Sequence, residues 1–207
     1  MTSIQKLLNV SSESISNKAY SKVWPEYCDD LKFLFENKNG FFAFEQSLHV
    51  FPTVESNSSY DLEDWNSHDL WKKEYTDLTD DLYFFAEDIF GVQFCFNKND
   101  SKIYTFNPET GLIEFLANNL EEWARLILGD YNYLTGCKIA HEWQEKNGKF
   151  KNKTRLIPNK LFVFGGEYSI DNLSEKDAIF GMKARGQILQ KIKNMPDGTN
   201  VQFKLID

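Results

Sequence analysis

The sequence has few cysteines, few prolines and no long apolar run, and each shortage excludes a class of protein. The three cysteines, Cys28, Cys95 and Cys137, are odd in number and fit no zinc-binding spacing. Each lies in an apolar stretch, so we expect reduced thiols in the core of a cytoplasmic protein. No segment approaches the ~18 apolar residues of a membrane span, and the N-terminus lacks the apolar region of a signal peptide, so we expect no membrane partner.

Positive charge is also scarce. The chain has 23 Lys and Arg residues against 31 Asp and Glu residues, which gives a formal net charge of -8. This sign argues against nucleic acid as a partner and favours a basic protein. Residues 61–88 contain ten acidic residues and two lysines, whereas residues 146–160 contain six basic residues and no acidic one. The sequence leaves open whether these two segments touch or lie on opposite faces.

Motifs for catalysis and for cofactor binding are missing as well. The chain has no G-x-S-x-G elbow, no phosphate-binding Walker loop and no G-x-G-x-x-G fingerprint. Its three histidines, His49, His68 and His141, never stand three or four residues apart, so they form no metal-binding helix face. We therefore predict no catalytic residue, no cofactor and no metal site.

The most suggestive acidic pair is Glu87-Asp88, within the aromatic run FFAEDIFG at 84–91. Two carboxylates among apolar rings can have pKa values pushed apart, as acid–base catalysis requires. Successive strand residues point to opposite faces, however, which favours a structural turn between two strands or a recognition feature. A hydrolase that uses Glu87 and Asp88 is the weakest functional alternative.

Aromatic residues are abundant, at 15% of the chain, and most of them are expected in the core. Trp65 stands apart because it lies in a polar, acidic stretch, where tryptophan can anchor an interface. The alternative is that Trp65 folds back onto a sheet. Charge placement gives the following candidate partner-binding residues: Asp61, Glu63, Asp64, Trp65, Asp69, Glu87 and Asp88.

Four short aromatic and branched runs predict an antiparallel meander followed by a helix. They are LYFFA (82–86), VQFCFN (92–97), KIYTFN (102–107) and LIEFLA (112–117), and turn residues separate the last three. Asn119 is expected to cap the following helix. The other predicted elements are a helix from Pro25, a strand at 48–51, a loop at 53–66, a helix capped by Ser67, a helix over 131–147, a strand at 160–166, a helix from Ser174 and a strand at 201–206.

These elements predict one α+β domain, in which an antiparallel or mixed sheet meander packs against several helices. Residues 21–207 form this domain in the prediction. Residues 1–20 are polar and serine-rich, with a short apolar patch at Leu7 and Leu8. We expect them to form a separate N-terminal arm, either a short helix or a loose segment.

A constellation of short motifs resembles the SUKH superfamily over roughly residues 24–206. This superfamily is named in part for a yeast regulator of cell-wall glucan synthesis, and it is abundant among bacterial immunity proteins of polymorphic-toxin systems. The motifs are GFFAFEQSLHVFP (40–52), the region of Trp65 and Trp71, FFAEDIFGVQF (84–94), FNPETG (106–111), LEEW (120–123), RLIPNKLFVFGGEYSIDNL (155–173) and MPDG (195–198).

The resemblance implies a SUKH-like fold and binding without catalysis. Such proteins are expected to capture a cognate toxin, often a nuclease, and an acidic surface suits the basic substrate cleft of a nuclease. The family's contact surface varies with the toxin, so no residue role carries over. The eukaryotic relatives suggest the alternative of a regulatory or scaffold protein in cell-wall synthesis or signalling.

Overall fold

An antiparallel meander forms the centre of the computed structural model, which describes residues 1–18, 25–196 and 199. Six strands, each paired with the next along the chain, build this sheet. They are β1 (Phe41–Ala43), β2 (Leu48–Val50), β3 (Leu82–Glu87), β4 (Gln93–Asn97), β5 (Ile103–Phe106) and β6 (Ile113–Ala117). A separate antiparallel pair consists of β7 (Thr154–Pro158) and β8 (Leu173–Asp177).

Helices surround the central sheet. They are α1 (Ser3–Val10), α2 (Asp30–Asn37), α3 (Leu62–Trp65), α4 (Leu120–Gly129), α5 (Tyr131–Thr135), α6 (Cys137–Asn147) and α7 (Ala178–Ile192). Short 3-10 helices occupy Glu26–Cys28, Lys72–Thr79, Phe162–Phe164 and Ile170–Asn172. The predicted α+β fold is therefore confirmed, and its main sheet is antiparallel throughout.

Both faces of the sheet are buried over β3 and β4, which explains why these two strands read as continuous aromatic runs. The edge strand β6 differs, because Glu114 and Phe115 are exposed. On one face, the ring of Trp123 lies 5.1 Å from Phe85 and 5.8 Å from Phe94. On the other face, the ring of Trp71 lies 5.0 Å from Phe84. Strands that are covered on both sides lose the apolar–polar alternation of half-exposed strands.

The predicted meander and the helix after it match the structure closely. The turn between β5 and β6 closes with a 2.8 Å hydrogen bond from the Gly111 amide to the Asn107 carbonyl. Gly111 has a φ of +70°, which glycine adopts without strain. Asn119 caps α4 as expected, since its side chain accepts a 2.9 Å hydrogen bond from the Glu122 amide.

The N-terminal segment forms the short helix and packs onto the main core. Thr2 and Gln5 form a reciprocal capping box at the start of α1, and Leu7 and Leu8 are buried with the residues of the sheet. Beyond α1, the Ser12 amide donates a 2.7 Å hydrogen bond to the Phe42 carbonyl. These contacts correct the expectation of an arm separate from the domain, because the segment follows the outer edge of β1.

Several predicted boundaries differ from the structure for local reasons. The predicted loop at 53–66 contains the short helix α3, which Asp61 caps. The predicted helix after Ser67 is a 3-10 segment interrupted at Thr76, where φ is 55°. The predicted helix over 131–147 divides at Gly136, where a Cβ would lie 2.6 Å from the Phe90 ring.

The later part of the chain departs further from the prediction. The segment 160–166 contains the 3-10 turn Phe162–Phe164 instead of a strand, and the strand lies earlier, at β7. Ser174 belongs to β8, and α7 begins at Ala178 because Asp177 accepts a 2.9 Å hydrogen bond from the Phe180 amide. The predicted strand at 201–206 lies outside the described residues.

Candidate functional site

The seven candidate partner-binding residues divide into an exposed group and a buried group. Glu63, Asp64 and Asp69 are exposed and Asp61 is half-buried, so these four present charge at the surface. Trp65, Glu87 and Asp88 are buried, with exposures of 0%, 2% and 6%. The structure therefore does not bring the seven residues together on one surface.

The acidic group around α3 lies near the basic residue Lys153. The Asp61 side chain caps α3 by accepting hydrogen bonds from the amides of Glu63 and Asp64. Asp61 also raises the pKa of Asp64 by repulsion, while the nearby Lys153 lowers it. The Lys153 Nζ atom lies 2.7 Å from a carboxylate oxygen of Glu55. Glu55 lies just before the acidic segment. The acidic and basic segments themselves touch at Glu87 and Arg155, whose Oε1 and Nε atoms are 2.9 Å apart.

Trp65 belongs to the core, which corrects the expectation that it anchors an interface. Its Nε1 atom donates a 2.8 Å hydrogen bond to Gln93 Oε1, and its ring stacks on Phe51 at a centroid distance of 4.7 Å. The alternative, in which Trp65 folds back onto the sheet, is what the structure has. The acidic residues around Trp65 misled the sequence interpretation because they cap α3 and line the solvent side of that helix.

Glu87 is the centre of a buried polar cluster that spans three adjacent strands. The register places His49 of β2 and Gln93 of β4 on either side of Glu87. His49 Nδ1 lies 3.1 Å from Glu87 Oε1, and Gln93 Nε2 donates a 3.1 Å hydrogen bond to Oε2. Arg155 of β7 approaches from outside the sheet, with Nε 2.9 Å from Oε1.

Electrostatics keep the Glu87 carboxylate ionised in spite of its burial. Burial alone raises the pKa of this carboxyl, but the Arg155 charge and the hydrogen bond with His49 outweigh burial and hold the pKa below its usual value. Burial lowers the pKa of His49 to about 4, with the Arg155 charge acting in the same direction. At neutral pH the cluster thus consists of an ion pair and a neutral imidazole.

The cluster also has the order of a Ser-His-acid relay, which sequence reasoning missed. His49 Nε2 lies 2.8 Å from Ser59 Oγ, on the side of the ring opposite Glu87. Ser59 is fully buried, however, and its hydroxyl donates a 2.6 Å hydrogen bond to the Tyr60 carbonyl oxygen. A nucleophile has to reach its substrate, so the observed geometry makes Ser59 a structural partner of the imidazole.

Asp88 performs a different task, at the turn between β3 and β4. Its Oδ1 atom accepts 2.8 Å hydrogen bonds from the amides of Phe90 and Val92. Burial raises the pKa of Asp88 to about 7, against the lowering effect of these amides and of Arg185. Asp88 therefore forms the predicted structural turn.

Burial of Glu87 and Asp88 corrects their assignment as surface contacts for a partner. The small concavity that Glu87 lines does not include Asp88. The two carboxylates therefore do not converge on one site, and the hydrolase alternative loses the geometry on which it depended.

A set of aromatic rings lies next to the Asp88 turn and runs from the buried Phe90 through the half-buried Phe162 to the exposed Tyr168. Phe162 and Tyr168 stack with a centroid distance of 3.7 Å, and each ring lies 5.6 Å from Phe90 in an edge-on arrangement. The helix α5 borders the same turn, since the Ile89 amide donates a 3.3 Å hydrogen bond to the Thr135 carbonyl, and Tyr133 of α5 is exposed. We refer to Phe90, Tyr133, Phe162 and Tyr168 as the aromatic surface.

The backbone around residues 160–172 holds this surface in place. A Cβ at Gly166 would lie 1.9 Å from the Lys160 carbonyl oxygen, so only glycine permits the sharp return of this loop. The Asn172 side chain donates hydrogen bonds to the carbonyls of Lys160 (2.9 Å) and Glu167 (3.0 Å). Tyr168 on this loop is 61% exposed, and Tyr133 on the neighbouring helix α5 is 83% exposed.

Neither a metal cluster nor a membrane-spanning helix occurs among the described residues. No group of three or more His, Cys, Asp or Glu residues is arranged to hold a metal ion in residues 1–18, 25–196 and 199. Within the same residues, no helix has both the length and the apolar character that crossing a membrane demands.

Comparison with known proteins supports the fold without naming a function. No protein-family model matches the chain, and no curated protein is significantly similar to it in sequence. The chain is similar to the crystal structure of Atu4351 from Agrobacterium tumefaciens, with 16% sequence identity and a TM-score of 0.51. The match covers 87% of this chain and 86% of that chain. At this identity the likeness shows a shared fold.

Proposed function

We propose that the protein is a non-catalytic protein-binding module, specifically a bacterial immunity protein of the cytoplasm that captures a cognate toxin. The aromatic surface carries this proposal. Tyrosine and phenylalanine rings supply a large contact area with few rotatable bonds, and they dominate many binding interfaces. Tyr133 and Tyr168 offer such area on segments that the core already fixes in place.

Charge supports a basic partner. The chain has a net charge of -8, and Glu167, which precedes Tyr168, is exposed. The exposed carboxylates of Glu63, Asp64 and Asp69 add to the negative potential that steers a basic protein toward the molecule. A nuclease toxin suits this description because its substrate cleft is basic. The resemblance to the SUKH superfamily supports the same proposal.

The test is protection of a cell from the toxin domain of a secreted protein encoded beside this gene. Co-expression of the wild-type chain should restore growth, and the purified pair should bind with a Kd below about 1 μM. Replacing both tyrosines (Tyr133→Ala with Tyr168→Ala) should weaken binding by about 10- to 100-fold. Truncating an interface anchor to alanine costs about 1 kcal/mol or more in binding free energy, and each ~1.4 kcal/mol corresponds to a tenfold change in Kd.

The matched control is Phe33→Ala on α2, since Phe33 is 46% exposed and lies outside the aromatic surface. This variant should bind the toxin domain as wild type does, and circular dichroism should show that every variant folds. Unchanged affinity in the double tyrosine variant would contradict the assignment of the surface. Envelope defects in a deletion strain that resists the toxin would favour the regulatory alternative.

A further inference from the structure

A small concavity on the solvent side of the Glu87 cluster offers a second binding site. The hydroxyl-bearing residues Ser58 and Tyr60 line it together with the basic residues Lys151, Lys153 and Arg155. The Lys151 side chain is 82% exposed, whereas that of Arg155 is only 4% exposed. Lys151 therefore lies at the mouth of the concavity, and the guanidinium group lies at its inner end.

Arg155 has donors that no described residue satisfies. Its Nη1 atom donates a 2.9 Å hydrogen bond to the Thr154 carbonyl. Its Nε atom is close to Glu87 but lacks the alignment of a hydrogen bond, and Nη2 has no partner within residues 1–18, 25–196 and 199. A buried guanidinium carries five N–H donors, and leaving them unpaired is costly. An acceptor that enters the concavity would remove this deficit.

The charges around the concavity restrict the kind of acceptor. Lys151 pairs loosely with Glu175, at 3.9 Å, and Lys153 pairs with Glu55 while its Nζ lies 4.5 Å above the Tyr60 ring. The nearby carboxylates are Glu55, Glu87, Glu175 and Asp177, and the last accepts a hydrogen bond from the Tyr60 hydroxyl. Glu87 already faces Nε and the Thr154 carbonyl occupies Nη1, so the guanidinium offers a ligand mainly Nη2. The four carboxylates repel a dianion more strongly than a monoanion that presents a single oxygen to Nη2.

The backbone adds to the case for a negatively charged group. Ala178 lines the concavity and is the first residue of α7, a helix of 15 residues whose N-terminus carries partial positive charge. Lys153 has a φ of +60°, a conformation that L-residues seldom adopt and that often marks a functional position. Its carbonyl accepts a 2.9 Å hydrogen bond from the Ala178 amide, which joins the basic loop to α7.

We infer that this concavity binds a single carboxylate group, with one oxygen accepting from Arg155 Nη2 and the other facing Lys151. The carboxylate belongs either to a small free acid or to an acidic side chain or C-terminus of a peptide. The site shares no residue with the aromatic surface, so it stands independently of the proposed function.

The experiment is an NMR titration of the isotope-labelled full chain with sodium acetate at constant ionic strength. Acetate should shift the amide signals of Tyr60, Lys153 and Ala178 saturably, with a Kd on the order of 1 mM. Inorganic phosphate should bind at least about tenfold more weakly because of the four neighbouring carboxylates. Two further compounds distinguish the sources of the carboxylate: acetyl-glutamate amide mimics an acidic side chain, and N-acetylglycine mimics a peptide C-terminus. If either compound binds more tightly than acetate, the natural ligand is a peptide carboxylate. If both bind more weakly than acetate, the natural ligand is a small free acid.

Variants at the mouth carry the test, because Arg155 supports the buried Glu87 and its replacement endangers folding. Lys151→Ala should weaken acetate binding about three- to tenfold. Lys149→Ala is the matched control, since Lys149 is exposed on the same loop but does not line the concavity. Ser58→Leu should fill the entrance and abolish the shifts. Any of four results would overturn the inference. The shifts fail to saturate, the two lysine variants lose the same affinity, the shifts persist in Ser58→Leu, or phosphate binds as tightly as acetate.

Discussion

Glu87 and Asp88 are neighbours in the chain and are both buried, yet their surroundings shift the pKa values of the two carboxyls in opposite directions. Glu87 receives three side-chain partners, including the guanidinium of Arg155, and its pKa is held below the usual value. Asp88 receives two backbone amides, and burial raises its pKa to about 7. Burial alone therefore does not decide the protonation of a carboxyl. The direct ion pair with Arg155 and the hydrogen bonds of His49 and Gln93 keep Glu87 ionised, whereas the charge of Arg185 and two amides do not offset burial at Asp88.

Strand geometry explains the difference between the two residues. Glu87 ends β3 and lies in register with His49 and Gln93 on the neighbouring strands, so its side chain meets theirs across the sheet. Asp88 follows the last residue of the strand and turns toward the loop amides instead. One step along the chain thus separates a cross-strand ion cluster from a turn.

Removing the charge at each position should give the largest contrast. Glu87→Gln leaves the buried Arg155 without its anion, and we expect a loss of about 3–5 kcal/mol in the free energy of unfolding. Asp88→Asn keeps an oxygen for both amides, so its loss at pH 7 should stay below about 1 kcal/mol. Urea unfolding measures both values.

The exposed strand residue Glu114 supplies the control for this pair. Glu114→Gln should change the free energy of unfolding by less than about 0.5 kcal/mol. Equal losses in Glu87→Gln and Asp88→Asn would mean that Arg155 does not distinguish the two carboxyls.

The pH dependence of stability should separate the two residues next. Between pH 6.5 and about 4 the unfolded chain protonates His49 and the folded chain does not, so this group lowers stability as pH falls. Between pH 3.8 and about 7 the folded chain keeps the Asp88 proton that the unfolded chain loses, so this group lowers stability as pH rises. The two contributions oppose each other over the same range.

Single variants separate the two contributions to the pH dependence of stability, because a variant of His49 leaves the Asp88 contribution and a variant of Asp88 leaves the His49 contribution. Relative to wild type, His49→Gln should lose more stability on going from pH 4 to pH 6.5, and Asp88→Asn should lose less. We expect each difference to be on the order of 2–3 kcal/mol across the range. Thermal unfolding at several pH values measures it, and parallel pH profiles in all three proteins would refute both assignments.

The smallest effect concerns the hydrogen bond that supports the Glu87 cluster from α3. Trp65→Phe removes the donor to Gln93 Oε1, whereas Trp123→Phe removes an indole N–H that has no partner among the described residues. Both tryptophans are fully buried, so the packing losses are similar. We expect Trp65→Phe to lower the free energy of unfolding by about 1–2 kcal/mol more than Trp123→Phe does. An equal loss in the two variants would mean that the hydrogen bond to Gln93 does not stabilise the fold.

The sequence was most informative where structure is local. The aromatic runs between turn residues predicted β3 to β6, and Asn119 predicted the start of α4, because hairpins and caps depend on adjacent residues. The pair of β7 and β8 was missed because SEKD at 174–177 reads as a polar helix start and its partner strand contains Arg155 and Pro158. Such pairing depends on residues that are distant in the chain.

The candidate site was harder to predict for the same reason. The sequence singled out Glu87 and Asp88 but gave no sign that Arg155 pairs with Glu87 or that Arg185 binds the Phe90 carbonyl beside Asp88. The exposed stack of Phe162 on Tyr168 depends on the return of the chain at Gly166. The Gly165-Gly166 pair was the available signal, and it indicated a turn without indicating what the turn brings together.

The N-terminal segment has a consequence for how the protein is handled. The Ser12 and Ile15 amides donate to the carbonyls of Phe42 and Gly40, so this segment shields the open side of the first strand. An unshielded strand recruits strands from other molecules. A protein expressed without its first 16 residues should therefore self-associate through β1, whereas the full-length protein should not.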